Sequence, residues 1–237
     1  MASIGAAVTV LLALLSLSFA KRQFEYETSK DGFSINIKGV QILKHSADTP
    51  AFLIGKADTQ FVERLGNYEI TEIESEKSLF VSYDIQTTFE GQAERVSVIL
   101  TTVRGESVKL ELMSTEQHPL VIEFTEVPEA YNRMWVRLPA EVQEAVYGGG
   151  EQFTYFNLRG RDYPIWVREQ GAGRDARMPV AYLAETFHAK GAGGDYHTTY
   201  FPQSTFVSSR KYYVHAEGYN YAHMDFRNPD YHELAFQ

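Results

Sequence analysis

Cysteine is absent from the 237 residues. That removes a thiol nucleophile, a zinc finger and a disulfide framework together. Asn-x-Ser/Thr sequons are absent too, so glycosylation gives no sign of a compartment. Cations are scarce: 22 Lys and Arg stand against 31 Asp and Glu, a net charge of −9. Phosphate binding needs clustered Lys and Arg, which argues against a nucleic-acid partner. No apolar run approaches the roughly 20 residues that a membrane-spanning helix needs. The seven histidines show no His-Glu-x-x-His spacing, and neither a Gly-x-Ser-x-Gly elbow nor a Gly-Lys-Ser/Thr phosphate loop occurs. What is present is 44% apolar and 14% aromatic, the composition of an ordered chain. The length suits one large domain or two small ones with a real core. A (β/α)8 barrel, which takes about 250 residues with a helix after every strand, fits poorly.

The N-terminus carries a pattern of its own. Residues 6–17 are almost wholly small or apolar and lead to Ser18-Phe19-Ala20 and Lys21-Arg22. An apolar core of that length ending in small residues is the pattern of a secretory signal peptide. Cleavage is expected after Ala20, sending a mature domain of residues 21–237 to an extracellular or lysosome-like destination, with no membrane contact beyond the leader.

From residue 31 to 138 the period is two. Phe33, Ile35 and Ile37 alternate with polar residues, as do Leu79, Val81, Tyr83 and Ile85. The same holds for Val96, Val98 and Leu100, for Val108, Leu110 and Leu112, and for Leu120, Ile122 and Phe124. Each run is a strand with one face on a core, and the separators are turn-rich, as in Arg104-Gly105-Glu106. Closely spaced strands without intervening helices predict an antiparallel sandwich or barrel. Glu69, Glu72, Glu74 and Glu76 read as a solvated face. Helix is expected only in residues 140–145, for a turn or two, and in residues 179–190. In the latter, Leu183 and Phe187 sit four apart and Gly191 offers a cap. The fold class is all-β, an antiparallel sandwich with one or two short helices.

Composition shifts near Tyr147. Residues 147–237 hold 19 of the 32 aromatics and 10 of the 17 glycines, and seven of their nine cations are Arg. Rings, planar guanidinium groups and carboxylates are what a sugar site uses, although strands also favour Tyr and Phe for packing. Three constellations stand out. Tyr147-Gly148-Gly149-Gly150-Glu151 suggests a tight turn that aims Glu151. Arg159-Gly160-Arg161-Asp162 runs on to Trp166 and to Arg168-Glu169-Gln170-Gly171-Ala172-Gly173-Arg174. Gly193-Gly194-Asp195-Tyr196 is an ordinary reversing turn by itself. His215 and His223 are candidates for neighbouring strands.

These motifs carry a resemblance. The run YGGGEQFTYFNLRGRDYPIWVREQGAGR (residues 147–174) is similar to the N-terminal domain of glycoside hydrolase family 31, above all its sulfoquinovosidase-like α-glucosidase subgroup. GGDYHTTYFPQSTFVSSRKYY (residues 193–213) and Asn228-Pro-Asp-Tyr-His-Glu-Leu-Ala resemble the same subgroup. Gly149, where a larger residue is usual, and Ser204, where proline is common, depart from it.

The resemblance implies a galactose mutarotase-like sandwich whose loop packs over the substrate mouth of a covalently continuous (β/α)8 barrel. In that family the catalytic nucleophile and acid are aspartates of the barrel, which the sequence does not contain. The expectation is therefore an inactive, carbohydrate-binding portion of a larger enzyme, with no catalytic residue, metal or cofactor of its own. Its ligand would be an α-glycoside, with Arg168, Glu169, Gln170 and Arg174 lining or bracing the site. Trp166 would be a packing anchor and Glu151 mainly architectural. A stand-alone secreted lectin-like module is the alternative, and a sugar epimerase a third reading.

Overall fold

The structure is a computed structural model describing residues 9–14, 23–64, 67–90, 93–115, 117–168, 178–187, 194–218 and 220–237. Alternating residues build its strands in chain order. The first four are β1 (Thr9–Leu14), β2 (Glu25–Thr28), β3 (Gly32–Ile37) and β4 (Val40–Ser46). Then come β5 (Phe52–Arg64), β6 (Asn67–Glu90), β7 (Ala93–Thr102), β8 (Ser107–Met113), β9 (Leu120–Glu126) and β10 (Arg133–Pro139). The aromatic part adds β11 (Val146–Gly150), β12 (Asp162–Ile165), helix α1 (Pro179–Phe187), β13 (Pro202–Ser208), β14 (Tyr212–Glu217), β15 (Ala222–Asp225) and β16 (Tyr231–Phe236). The all-β class is as the sequence predicts.

One antiparallel ladder runs β11-β13-β14-β1-β9-β8-β7-β6-β5-β10-β16-β15-β12, and β2-β3-β4 form a second small sheet. Strand β6 belongs to both halves of the ladder: Asn67–Leu79 pair with β5, and Phe80–Glu90 pair with β7. The halves face one another. Phe52 of β5 meets Phe124 of β9 edge-on with centroids 5.9 Å apart, and Phe206 of β13 meets Phe226 at 5.1 Å. Between them Ile35, Val96, Val98, Leu100, Leu110, Ile122, Val136 and Val214 are fully buried. Each such side chain contributes about 1.5–3 kcal/mol on leaving water. That burial is ample to hold the sandwich without disulfides.

Four expectations need correction. Leu79 and Val81 are 43% and 47% exposed while Phe80 between them is buried. A β-bulge between Phe80 and Ser82 shifts the register, so the face inferred from alternation is reversed there. Residues 140–145 form a single turn closed by Glu144 N donating to Glu141 O at 3.0 Å, not a helix. Helix α1 buries Ala181 and Ala184, and leaves Leu183 51% and Phe187 75% exposed. Its proposed cap lies outside the described residues. Finally, Glu72 is only partly solvated: it pairs with the buried Arg133, whose Nη2 lies 2.6 Å from Glu72 Oε1, and ties β6 to β10.

The N-terminal strand β1 lies between β9 and β14, from Thr9↔Glu123 to Leu12↔Leu120 on one side and Thr9↔Glu217 to Leu14↔Tyr212 on the other. These six residues also lie inside the expected leader. A chain cut after Ala20 would lack β1.

Candidate functional site

The glycine run ends β11, where the strand lies against β13 and bulges between Gly148 and Gly150. Gly148 and Gly150 adopt φ of 120° and 80°. A Cβ on them would stand 2.6 Å from the Thr205 carbonyl oxygen and 2.2 Å from that of Phe201. Only glycine allows both the conformation and the approach. The turn aims Glu151 outward, exposed, with its N–H donating to Phe201 O at 2.8 Å.

Downstream, Arg159 acts as a clamp. Its guanidinium donates to the carbonyls of Phe226, Asn228 and Pro229 at 2.8, 2.6 and 2.9 Å. Arg161 stacks on Tyr155, its Cζ 3.3 Å from the ring centroid. With the loop so held, Asp162 opens β12 opposite Asp225 of β15 and becomes the hub of a polar cluster. His223 Nε2 lies 3.1 Å from Asp162 Oδ2. The Tyr196 hydroxyl donates to the Asp162 carbonyl at 2.7 Å and to Oδ1 at 3.0 Å. Arg227 reaches Oδ1 at 3.4 Å while holding Asp225 through Nη2 at 2.6 Å. The His223 hydrogen bond, with further help from Arg227 and Tyr196, outweighs burial and holds the Asp162 carboxyl down at about 2. Asp162 is thus an ionised acceptor that organises its neighbours, unsuited to giving up a proton near neutrality.

His197 stands beside this hub, edge-on to Tyr196 with centroids 5.0 Å apart and 3.8 Å from Asp195. Burial lowers its pKa, Asp195 opposes the shift, and the charge of Arg168 adds to it. A neutral imidazole can donate and accept hydrogen bonds at once. Asp195 itself closes a small turn, its N–H bonded to Thr198 Oγ1 at 2.7 Å.

Of the four residues expected to line the site, Arg168 is half-buried at this wall, its N–H donating to Thr199 O at 3.0 Å. Glu169, Gln170 and Arg174 lie outside the described residues. Trp166 packs near Phe61 and Tyr221, with centroids at 6.0 and 6.5 Å. His215 and His223 are not on neighbouring strands. β14 and β15 belong to different halves of the ladder, and His215 Nδ1 instead meets Thr205 Oγ1 at 2.7 Å. Among the described residues no group of three or more His, Asp or Glu could hold a metal ion.

A second polar cluster went unread in the sequence. Glu144 and His232 have side chains with no exposure, and His232 Nε2 lies 3.1 Å from Glu144 Oε1. The same oxygen accepts from the Ser208 hydroxyl and from the Tyr212 hydroxyl at 2.9 Å. Burial alone would raise Glu144, yet the bonds from His232 and Ser208 prevail and hold it at about 2. Glu144 thereby ties the β10–β11 connection to β13, β14 and β16. Its only sequence signal is a carboxylate between Gln143 and Ala145, just before the glycine run.

Comparison with known proteins decides the family. Residues 18–181 match the model of the glycosyl hydrolase 31 N-terminal galactose mutarotase-like domain. The chain belongs to this family. The family 31 domain is 38% identical over 209 residues to a sulfoquinovosidase of Agrobacterium fabrum, covering 88% of this chain and 30% of the relative. It is 36% identical over 214 residues to the sulfoquinovosidase of Escherichia coli (strain K12), covering 90% and 30%. A crystallised family 31 sulfoquinovosidase from E. rectale, in complex with an aza-sugar inhibitor, superimposes with a TM-score of 0.76 at 33% identity, over 90% of this chain and 30% of that one. The family 31 domain thus spans about a third of the length of the relatives it matches.

Proposed function

We propose that this chain supplies the N-terminal sandwich of an α-glycoside hydrolase of the sulfoquinovosidase type. Its exposed aromatic face would be covered by a (β/α)8 barrel that brings the catalytic carboxylates. The observation that carries this reading is the apolar face on the edge strand pair β11–β13. Tyr147 and Phe156 meet there at a tilt of 42° with centroids 4.8 Å apart, Tyr147 lies opposite Val207, and Phe156 and Phe201 are 85% and 60% exposed. Large rings left exposed along one sheet edge mark a surface that another body covers.

The chain's own residues then have positioning roles. Arg159 and Asp162 hold the wall, and His197 and Arg168 stand at its rim, Arg168 leading in sequence to Glu169, Gln170 and Arg174. That rim would border the sugar. Retaining hydrolysis needs one carboxylate as nucleophile and a second as acid, then base, about 5–5.5 Å away. Neither the exposed Glu151 nor the ion-paired Asp162 suits those tasks. In this reading residues 1–20 direct the enzyme to the secretory pathway.

The test is a chimera in which this chain, β1 included, replaces the matching third of the Escherichia coli relative. A soluble chimera that hydrolyses p-nitrophenyl α-sulfoquinovoside supports the reading. A folded chimera with no turnover overturns it.

A further inference from the structure

We propose that the groove between β4, the end of β10 and the start of β16 is a binding site for a single neutral pyranose. The proposal does not depend on the family assignment. The groove encloses about 310 Å³ and is lined by Gln41, Lys44, Asp48, Arg137, Asp230 and Tyr231, among others. Ligand sites run from about 300 to 1,000 Å³, so this volume can seat one sugar ring.

Its walls are fixed in advance. On one side the turn at Ser46 is locked by Thr49 N donating to Ser46 Oγ at 3.0 Å and Ser46 N donating to Thr49 O at 3.1 Å. On another, Arg210 donates to Pro139 O at 3.0 Å and Gln41 O at 3.3 Å, joining the end of β10 to β4. The third wall is the loop that Arg159 clamps at Asn228 and Pro229. It continues to Asp230, whose carbonyl accepts from Ala140 N at 2.8 Å. The backbone of these walls needs no ordering on binding, so the cost that remains is that of fixing the side chains.

The lining offers donors and acceptors in balance. Arg137 is held at two points: its Nε is 2.6 Å from Glu233 Oε2, and its Cζ lies 4.4 Å from the Tyr231 ring centroid. That fixes the plane of its donor fork. Lys44, Asp48 and Asp230 are exposed at the groove, and among the described residues their side chains make no ion pair. Two cations and two carboxylates leave little net charge, which disfavours a simple anion or cation. Vicinal hydroxyls both donate and accept, and they can satisfy carboxylates and cations together. Tyr231 adds an aromatic surface to the same cavity.

The experiment is an NMR titration of the full chain with methyl α-D-glucopyranoside, with maltotriose and sodium methanesulfonate as comparison probes. Saturable shifts at the amides of Lys44, Asp48 and Tyr231 are expected. Affinity should fall at least about tenfold in Asp48→Asn/Asp230→Asn, as when charge-assisted hydrogen bonds are lost. It should be unchanged in the off-site variant Glu151→Gln. Maltotriose should bind no better than the monosaccharide. Lys44→Gln gives an independent variant should the double one fail to fold. Four outcomes each overturn the proposal: no saturable shift, shifts centred on Asp162 and His223, methanesulfonate saturating the same amides, or affinity indifferent to all the groove variants.

Discussion

His223 Nε2 and Asp162 Oδ2 lie 3.1 Å apart and join β15 to β12. The carboxylate also takes Tyr196 and Arg227, so the pair sets the geometry of the wall on which Arg168 and His197 stand. Replacing Asp162 by Asn keeps the shape and removes the charge. Hydrogen bonds to charged groups contribute about 1.5–3 kcal/mol, and a loss of about 2 kcal/mol is expected in the unfolding free energy measured by denaturant titration. A variant as stable as the parent would show that the hub organises nothing.

Acid should act through the same group. Asp162 is held at about 2, below its ordinary 3.8, and its folded-state pKa is therefore depressed. Its stabilisation is complete above the ordinary value and fades as pH falls toward about 2. Glu144, also at about 2 against an ordinary 4.5, follows the same course. Urea midpoints measured from about pH 5 down to about pH 2 should fall steeply in the parent and less steeply in Asp162→Asn. Equal slopes would remove Asp162 as the cause.

Glu144→Ala should be among the costliest single changes. It leaves His232, Ser208 and Tyr212 buried around a missing partner. Breaking a buried pair in this way costs about 3–5 kcal/mol. Glu151→Ala, at an exposed position seven residues on, should stay within about 0.5 kcal/mol. Thermal unfolding of the two variants side by side checks the contrast, and a reversed order would refute it.

Gly150→Ala should destabilise by more than the 1–3 kcal/mol of a left-handed residue alone, because its Cβ would stand 2.2 Å from the Phe201 carbonyl oxygen. Calorimetry on Gly150→Ala decides this, and a neutral result would mean that the β11–β13 edge can relax.

Removing residues 1–20 should leave β9 and β14 without the strand between them. Amides in Leu120–Glu126 and Tyr212–Glu217 should then exchange faster than in the full chain, by hydrogen-exchange mass spectrometry. Unchanged protection would mean that β1 contributes nothing to the sheet.

The sandwich was legible because alternation around Val96, Leu110 and Ile122 reports burial directly, one face at a time. It failed at Leu79 and Val81, where a bulge flips the face, and at α1, where small alanines are buried and larger residues point out. The motif residues Arg159 and Asp162 stood in plain view, but their partners did not. His223, Arg227 and Tyr196 come from segments tens of residues away and meet Asp162 only in the folded chain, as His232 meets Glu144. Ion pairs between distant segments leave no periodic trace in sequence.

In the function proposed here the sandwich positions a sugar and a barrel carries out its hydrolysis. The direct measurement is release of p-nitrophenol from the α-glucoside and the α-sulfoquinovoside by the purified chain alone. No release above the buffer rate is expected. Turnover that Glu151→Gln or Asp162→Asn abolishes, in variants that remain folded, would contradict it.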